Sequence, residues 1–163
     1  MTKKSEELET YGELSKKLSW KVDCFQGIND SSWSFSPDGS HIAVSALGLN
    51  SWYGNYELDG YQWFDIYTLD IQTLYDEYIS QEKTPGSGAC KKAAKRLTTN
   101  MRALEPQWSP DGEWISFLRF YDSSYQLMKM RADGTDLTQV SHFVPGTQLG
   151  AAVWTPDSKQ FAF

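Results

Sequence analysis

The sequence predicts an all-β chain built from repeated four-stranded antiparallel units, on three observations. Aromatic residues make up 15% of the 163 residues, and large rings and β-branched side chains suit pleated, half-buried surfaces. A tryptophan followed by a Ser/Thr-Pro-Asp turn recurs three times along the chain. Behind the first two copies, a pair of strand-like segments recurs in the same order.

Residues 1–19 form a charged N-terminal segment. Within it, Leu8 to Ser19 reads as a turn followed by the last strand of a preceding unit, with a charged helix over residues 4–18 as the alternative. The first unit spans residues 20–98. Its strand A closes at Trp33, and Ser36-Pro37-Asp38-Gly39 makes a tight turn. Proline presets φ, Asp accepts a backbone N–H, and Gly takes the left-handed conformation. Ile42 and Val44 then alternate with smaller residues as strand B, with one buried face. Strand C is Asp65–Asp70 and strand D is Lys95-Arg96-Leu97-Thr98. Two insertions lengthen this unit, Leu47–Trp63 between B and C, and Tyr75–Ala94 between C and D. The second runs acidic, then Pro/Gly/Ser-rich, then basic, and is expected as a solvated, mobile loop.

The second unit, residues 99–141, is plain. It has Trp108, the turn Ser109-Pro110-Asp111-Gly112, strand B with Ile115 and Phe117, strand C over Gln126–Arg131, and strand D over Thr138–Ser141. Residues 142–163 begin a third unit with Trp154 and Thr155-Pro156-Asp157. There Ser158 replaces the glycine, at an expected cost of up to about 1 kcal/mol. The regular tryptophans are expected to pack between units.

Four antiparallel strands repeated about every 45 residues are the pattern of a β-propeller blade. The Trp-Ser-Pro-Asp-Gly turn, the Asp65-Ile66-Tyr67-Thr68-Leu69-Asp70 strand and the Arg96-Leu97-Thr98 strand resemble the TolB-type, WD40-like propeller repeat over most of residues 30–163. The resemblance implies about two full blades plus partial flanking ones. A ring of about four to eight blades then needs further blades, from the same parent chain or from a second copy. It implies a non-enzymatic module for protein–protein interaction. The alternative is the propeller of a prolyl oligopeptidase or dipeptidyl peptidase-like serine peptidase whose catalytic domain is not present in this sequence. A carbohydrate-binding or lyase propeller is a lesser alternative.

A formal charge of −6 argues against a nucleic-acid surface or a basic membrane patch. No apolar run approaches the roughly 18 residues of a membrane span. No nucleophile elbow, zinc-hydrolase motif or phosphate loop is present, so no catalytic residue, metal ligand or cofactor is predicted. The charged start lacks the apolar stretch of a secretory signal. The chain therefore reads as cytoplasmic as it stands, or as periplasmic if TolB-like with a missing signal. Cys24 and Cys90 fall at opposite ends of first-unit strands about 17–20 Å long, so they are expected not to be bonded to each other.

In a propeller the B–C and D–A loops share one face, and the resemblance places partners there. The candidate partner-binding residues are therefore Trp52, Tyr53, Tyr56, Glu57, Asp59, Tyr61 and Trp63 of the first insertion. Rigid amphipathic rings spaced by Gly, Asn and Ser suit recognition of a protein or peptide. The alternative is a long hairpin whose rings pack on the blade.

Overall fold

The Ser/Thr-Pro-Asp turns reverse the chain three times, and strand pairing does the rest. The computed structural model describes residues 25–49, 63–81, 92–150 and 152–162. The first sheet holds β1 (Phe25–Phe35), β2 (His41–Leu49), β3 (Asp65–Asp70) and β4 (Ala94–Arg96), with helix α1 (Ile71–Gln81) between β3 and β4. The second holds β5 (Ala103–Trp108), β6 (Trp114–Tyr121), β7 (Ser124–Arg131) and β8 (Thr138–Gln139). A two-stranded piece, β9 (Val153–Trp154) and β10 (Phe161–Ala162), follows. Each sheet is an antiparallel meander in chain order. These are partial β-propeller blades in series.

Strand alternation distributes the apolar side chains over two faces. Ala43 and Ile66 point from the first sheet into a core shared with Ala103, Ile115, Phe117, Met128 and Met130 of the second. Their neighbours Ile42, Val44, Tyr67 and Leu69 belong to a separate core on the opposite face of the first sheet. Leu118 and Leu127 of the second sheet meet Ala152 and Phe161 at its far side. Hydrogen bonds bind the first two sheets at depth. The Ser45 hydroxyl donates to the Ala103 carbonyl at 2.7 Å, and the Ala103 N–H donates to the Phe64 carbonyl at 2.7 Å.

Helix α1 corrects the expectation of a loop from Tyr75 onward. Asp70 caps it, its carboxylate accepting the Thr73 N–H at 2.6 Å. Ile71 and Leu74, 2% and 1% exposed, sit three residues apart on the face that joins the outer core, and Tyr75 packs beside them. The polar character of the insertion hid this short amphipathic turn. Residues 82–91 lie outside the described part.

The tryptophans divide. Trp108 packs against the core shared by the two sheets, and its backbone N–H donates to the Ser34 hydroxyl at 3.2 Å. Trp154 donates its indole Nε1–H to the Gln107 carbonyl at 3.2 Å. Trp33 instead is 51% exposed and meets Phe35 edge-on, with ring centroids 5.4 Å apart.

Candidate interaction surface

One end of the sheets is built from the three turns. In each, the Ser36, Ser109 or Thr155 hydroxyl donates to the carboxylate two residues on, Asp38, Asp111 or Asp157, at 2.6, 2.5 and 2.6 Å. The same hydroxyl oxygen accepts the N–H of His41, Trp114 or Gln160. Each carboxylate also accepts the N–H of Ser40, Glu113 or Lys159. Gly39 and Gly112 have φ of 73° and 76°, and Ser158 is held at 60°. Hydroxyl donation first, and backbone N–H donation second, hold the Asp38 carboxyl down at about 2 and push Asp111 and Asp157 below the usual carboxylate range.

The turns also touch one another. A Cβ on Gly112 would lie 3.6 Å from the Pro37 ring, and the Asp111 N–H donates to the Ser158 hydroxyl at 3.0 Å. Pro110 and Pro156 occupy the matching turn positions on either side of that bond. A groove of about 530 Å³ opens between the first two turns, lined in part by Asp38, His41, Lys95, Trp108, Asp111 and Asp133. Its carboxylates are already engaged in turn geometry, and Lys95 donates to the Asp133 carbonyl at 2.8 Å. Trp108 Nε1 is the buried side-chain donor without a partner among the described residues.

The opposite end of the strands is tied by a knot that sequence reasoning missed. Asp65, 1% exposed, accepts from Arg96 at 2.5 Å, the Thr98 hydroxyl at 2.8 Å, the Asn100 N–H at 2.9 Å and the Met101 N–H at 3.1 Å. The Thr98 oxygen accepts the Ile66 N–H at 2.9 Å. The second sheet repeats this with a neutral residue. Gln126 Oε1 accepts the Ser141 hydroxyl and the Phe143 N–H, both at 3.0 Å, while Ser141 Oγ accepts the Leu127 N–H at 2.7 Å. The signal was readable, since Asp65 aligns with Gln126 and Thr98 with Ser141 once strands C and D are superposed.

This end carries the B–C and D–A connections. Of the candidate partner-binding residues, Trp52, Tyr53, Tyr56, Glu57, Asp59 and Tyr61 lie outside the described residues, as do Cys24, Cys90 and the segment 1–24. Trp63 is described, half-buried, with the Arg102 guanidinium 3.4 Å from its ring centroid. Arg102 carries no sequence signal, because its placement depends on a left-handed φ of 51° just beyond the Asp65 knot. Among the described residues no group of three or more His, Cys, Asp or Glu side chains is arranged to hold a metal. No helix among them is long and apolar enough to cross a membrane.

Two four-stranded meanders laid side by side and joined by stacked Pro-Asp turns decide the comparison with solved structures. The fold is that of a TolB-like β-propeller. TolB from Acinetobacter baumannii aligns over 85% of this chain and 27% of its own, with a TM-score of 0.53 and 21% identity. The apo isopeptidase AtxE2 aligns over 80% of this chain and 20% of its own, with a TM-score of 0.51 and 14% identity. In sequence, the chain is 29% identical to dipeptidyl-peptidase 5 of Porphyromonas endodontalis over 103 residues, 60% of this chain and 14% of that protein. The chain thus spans a minor part of each of these relatives. No family model matches it.

Proposed function

We propose that this chain is a stretch of a non-enzymatic β-propeller module for protein–protein interaction. The observation that carries the reading is the build of the B–C/D–A end. Backbone at Asn100, Arg102, Asp122 and Ser123 is held at positive φ there, above strands locked by the Asp65 and Gln126 knots. Asp122 and Ser123 make the two-residue turn of the β6–β7 hairpin, which takes positive φ at both positions, and the bonds of the Asn100 and Met101 N–H groups to Asp65 fix the backbone beside Arg102. The result is a firm end to the strands on either side of the aromatic insertion, which suits recognition of a protein or peptide. Selection of displayed random peptides on the immobilised chain is expected to enrich related sequences that compete with one another. An unenriched pool would overturn the reading.

A second reading is favoured by the likeness to dipeptidyl-peptidase 5. In it, the module belongs to a serine peptidase and acts on peptides before a separate catalytic domain. The two readings part on the full-length gene product. Hydrolysis of dipeptidyl-coumarin substrates, with covalent labelling by a fluorophosphonate, would select the peptidase. Inertness to both with retained peptide capture would select the interaction module.

A further inference from the structure

We propose that the groove between the first two Pro-Asp turns binds a lysine-rich peptide segment, with ammonium groups against Asp38, Asp111 and Asp133 and a main-chain carbonyl on Trp108 Nε1. This site lies at the turn rim, opposite the end assigned to protein recognition, and goes beyond that reading. The groove of about 530 Å³ opens at the seam of two sheets. Asp38 of the β1–β2 turn and Lys95 of β4 line it from the first sheet, and Trp108 of β5, Asp111 of the β5–β6 turn and Asp133 of the β7–β8 turn line it from the second. Its size falls within the roughly 300–1,000 Å³ of pockets that hold small ligands.

In that lining three carboxylates stand against one ammonium, an excess of two negative charges with His41 neutral. Hydroxyl donation first, and backbone N–H donation second, hold all three carboxyls below the usual range, so they are ionised at neutral pH. The cations at hand are already occupied. The Lys95 ammonium donates to the Asp133 carbonyl at 2.8 Å, His41 meets Asp70 at 3.6 Å, and Arg131, next to Ala132 of the lining, pairs with Glu113 and Asp136. At Asp111 and Asp133 the turn bonds fall on Oδ1, which leaves Oδ2 to accept from an incoming ammonium. A separate observation calls for an acceptor. Trp108 and Trp154 hold matching places, each just before the turn hydroxyl of Ser109 or Thr155. Trp154 Nε1 donates across its seam to the Gln107 carbonyl at 3.2 Å, whereas Trp108 Nε1 is buried with no partner among the described residues. A buried N–H without an acceptor is costly, and a peptide carbonyl in the groove supplies one. Free amines bring the charge without the carbonyl; a lysine-bearing peptide brings both.

The test is fluorescence anisotropy of the full chain with fluorescein-labelled octapeptides alternating glycine with Lys, Gln or Glu. The Lys peptide is expected to bind tightest, and to weaken as salt rises from about 50 mM to about 300 mM. Asp111→Asn and Asp133→Asn each keep an Oδ1 for the turn bonds while removing a charge, and should weaken binding about threefold to fivefold. Asp157→Asn makes the same change in the third turn, outside the groove lining, and should leave binding unaltered. In isotope-labelled chain, the Trp108 indole N–H resonance, recognised by its loss in Trp108→Phe, should move downfield when unlabelled Lys peptide is added. Melting temperature confirms that each variant is folded. Equal binding of the Lys and Gln peptides, equal losses in Asp157→Asn and the groove variants, or an unmoved indole resonance would overturn this inference. Repeating the display selection on the folded Asp111→Asn, Asp133→Asn double variant keeps the two sites apart, since peptides that still enrich there support the interaction reading whatever the groove does.

Discussion

Replacing Asp65 by alanine should cost about 3–4 kcal/mol of folding stability. The carboxylate is 1% exposed and accepts from four donors. Arg96, with 45% of its side chain exposed, can rehydrate, so its loss contributes at most about 1 kcal/mol. The Thr98 hydroxyl and the Asn100 and Met101 N–H groups have no such escape, and each stranded donor costs about 1 kcal/mol or more. Asp65→Asn keeps the volume and one acceptor oxygen but turns an amide NH2 towards two donors, so about 2 kcal/mol is expected. Urea denaturation followed by tryptophan fluorescence and circular dichroism reads both values, with an unchanged m-value marking a native-state effect. If Asp65→Ala alters stability by less than about 0.5 kcal/mol, the carboxylate does not hold strands C and D to their following connection and the knot has been misread.

Leu74→Ala should cost about 2–5 kcal/mol, since a 1% exposed leucine joins α1 to the outer core; a thermal melt that matches the parent would place the helix off the sheet. Ser158→Gly should be nearly neutral. Relief of the left-handed φ of 60°, worth up to about 1 kcal/mol, offsets loss of the bond from Asp111, whereas Ser158→Ala keeps the strain and loses the bond, and should cost about 1 kcal/mol. Gly134→Ala should destabilise by about 1 kcal/mol or more, because φ is 91° and the new Cβ would meet Leu97 at 3.3 Å. Acidification tests the turns. The Asp38 carboxyl sits at about 2 against an ordinary 3.8, so its contribution is present above about pH 4 and is lost as pH falls through about 2. Asp38→Asn should lower the melting temperature at neutral pH and flatten its acid slope, and an unchanged slope would deny the turn bonds their role.

The repeat was legible because turn chemistry is local. Pro37, Asp38 and Gly39 specify their conformation whatever surrounds them, and Ile42, Val44, Ile115 and Phe117 declare a strand by alternation alone. The helix at Ile71 was less visible, since Asp70, Ile71, Leu74 and Tyr75 also continue an aromatic-rich strand, and only contact with Val44 and Tyr67 favours one reading over the other. Among the surface residues, Trp63 stood out by type, but Arg102 did not. Its stacking on Trp63 depends on a backbone conformation next to the N–H groups that Asp65 holds, and residue order carries no trace of that. The exposure of Trp33, against the half-buried Trp108 and Trp154, likewise depends on which neighbours flank each sheet.

The stacked turns divide labour between the two ends of the molecule. The Pro37 ring beside Gly112, and the bond from Asp111 to Ser158, tie each sheet to the next at the turn rim. At the other rim the bonds of Asn100 and Met101 to Asp65, and of Ala103 to Phe64, hold the first two sheets together below the loops. Loops there can lengthen, shorten or change composition without moving the strands beneath them. For a protein engineer, the segment between Leu49 and Trp63 and the hairpin tip at Asp122-Ser123 are ports for grafting new sequence, while the Pro-Asp turns are the hinge line to leave untouched.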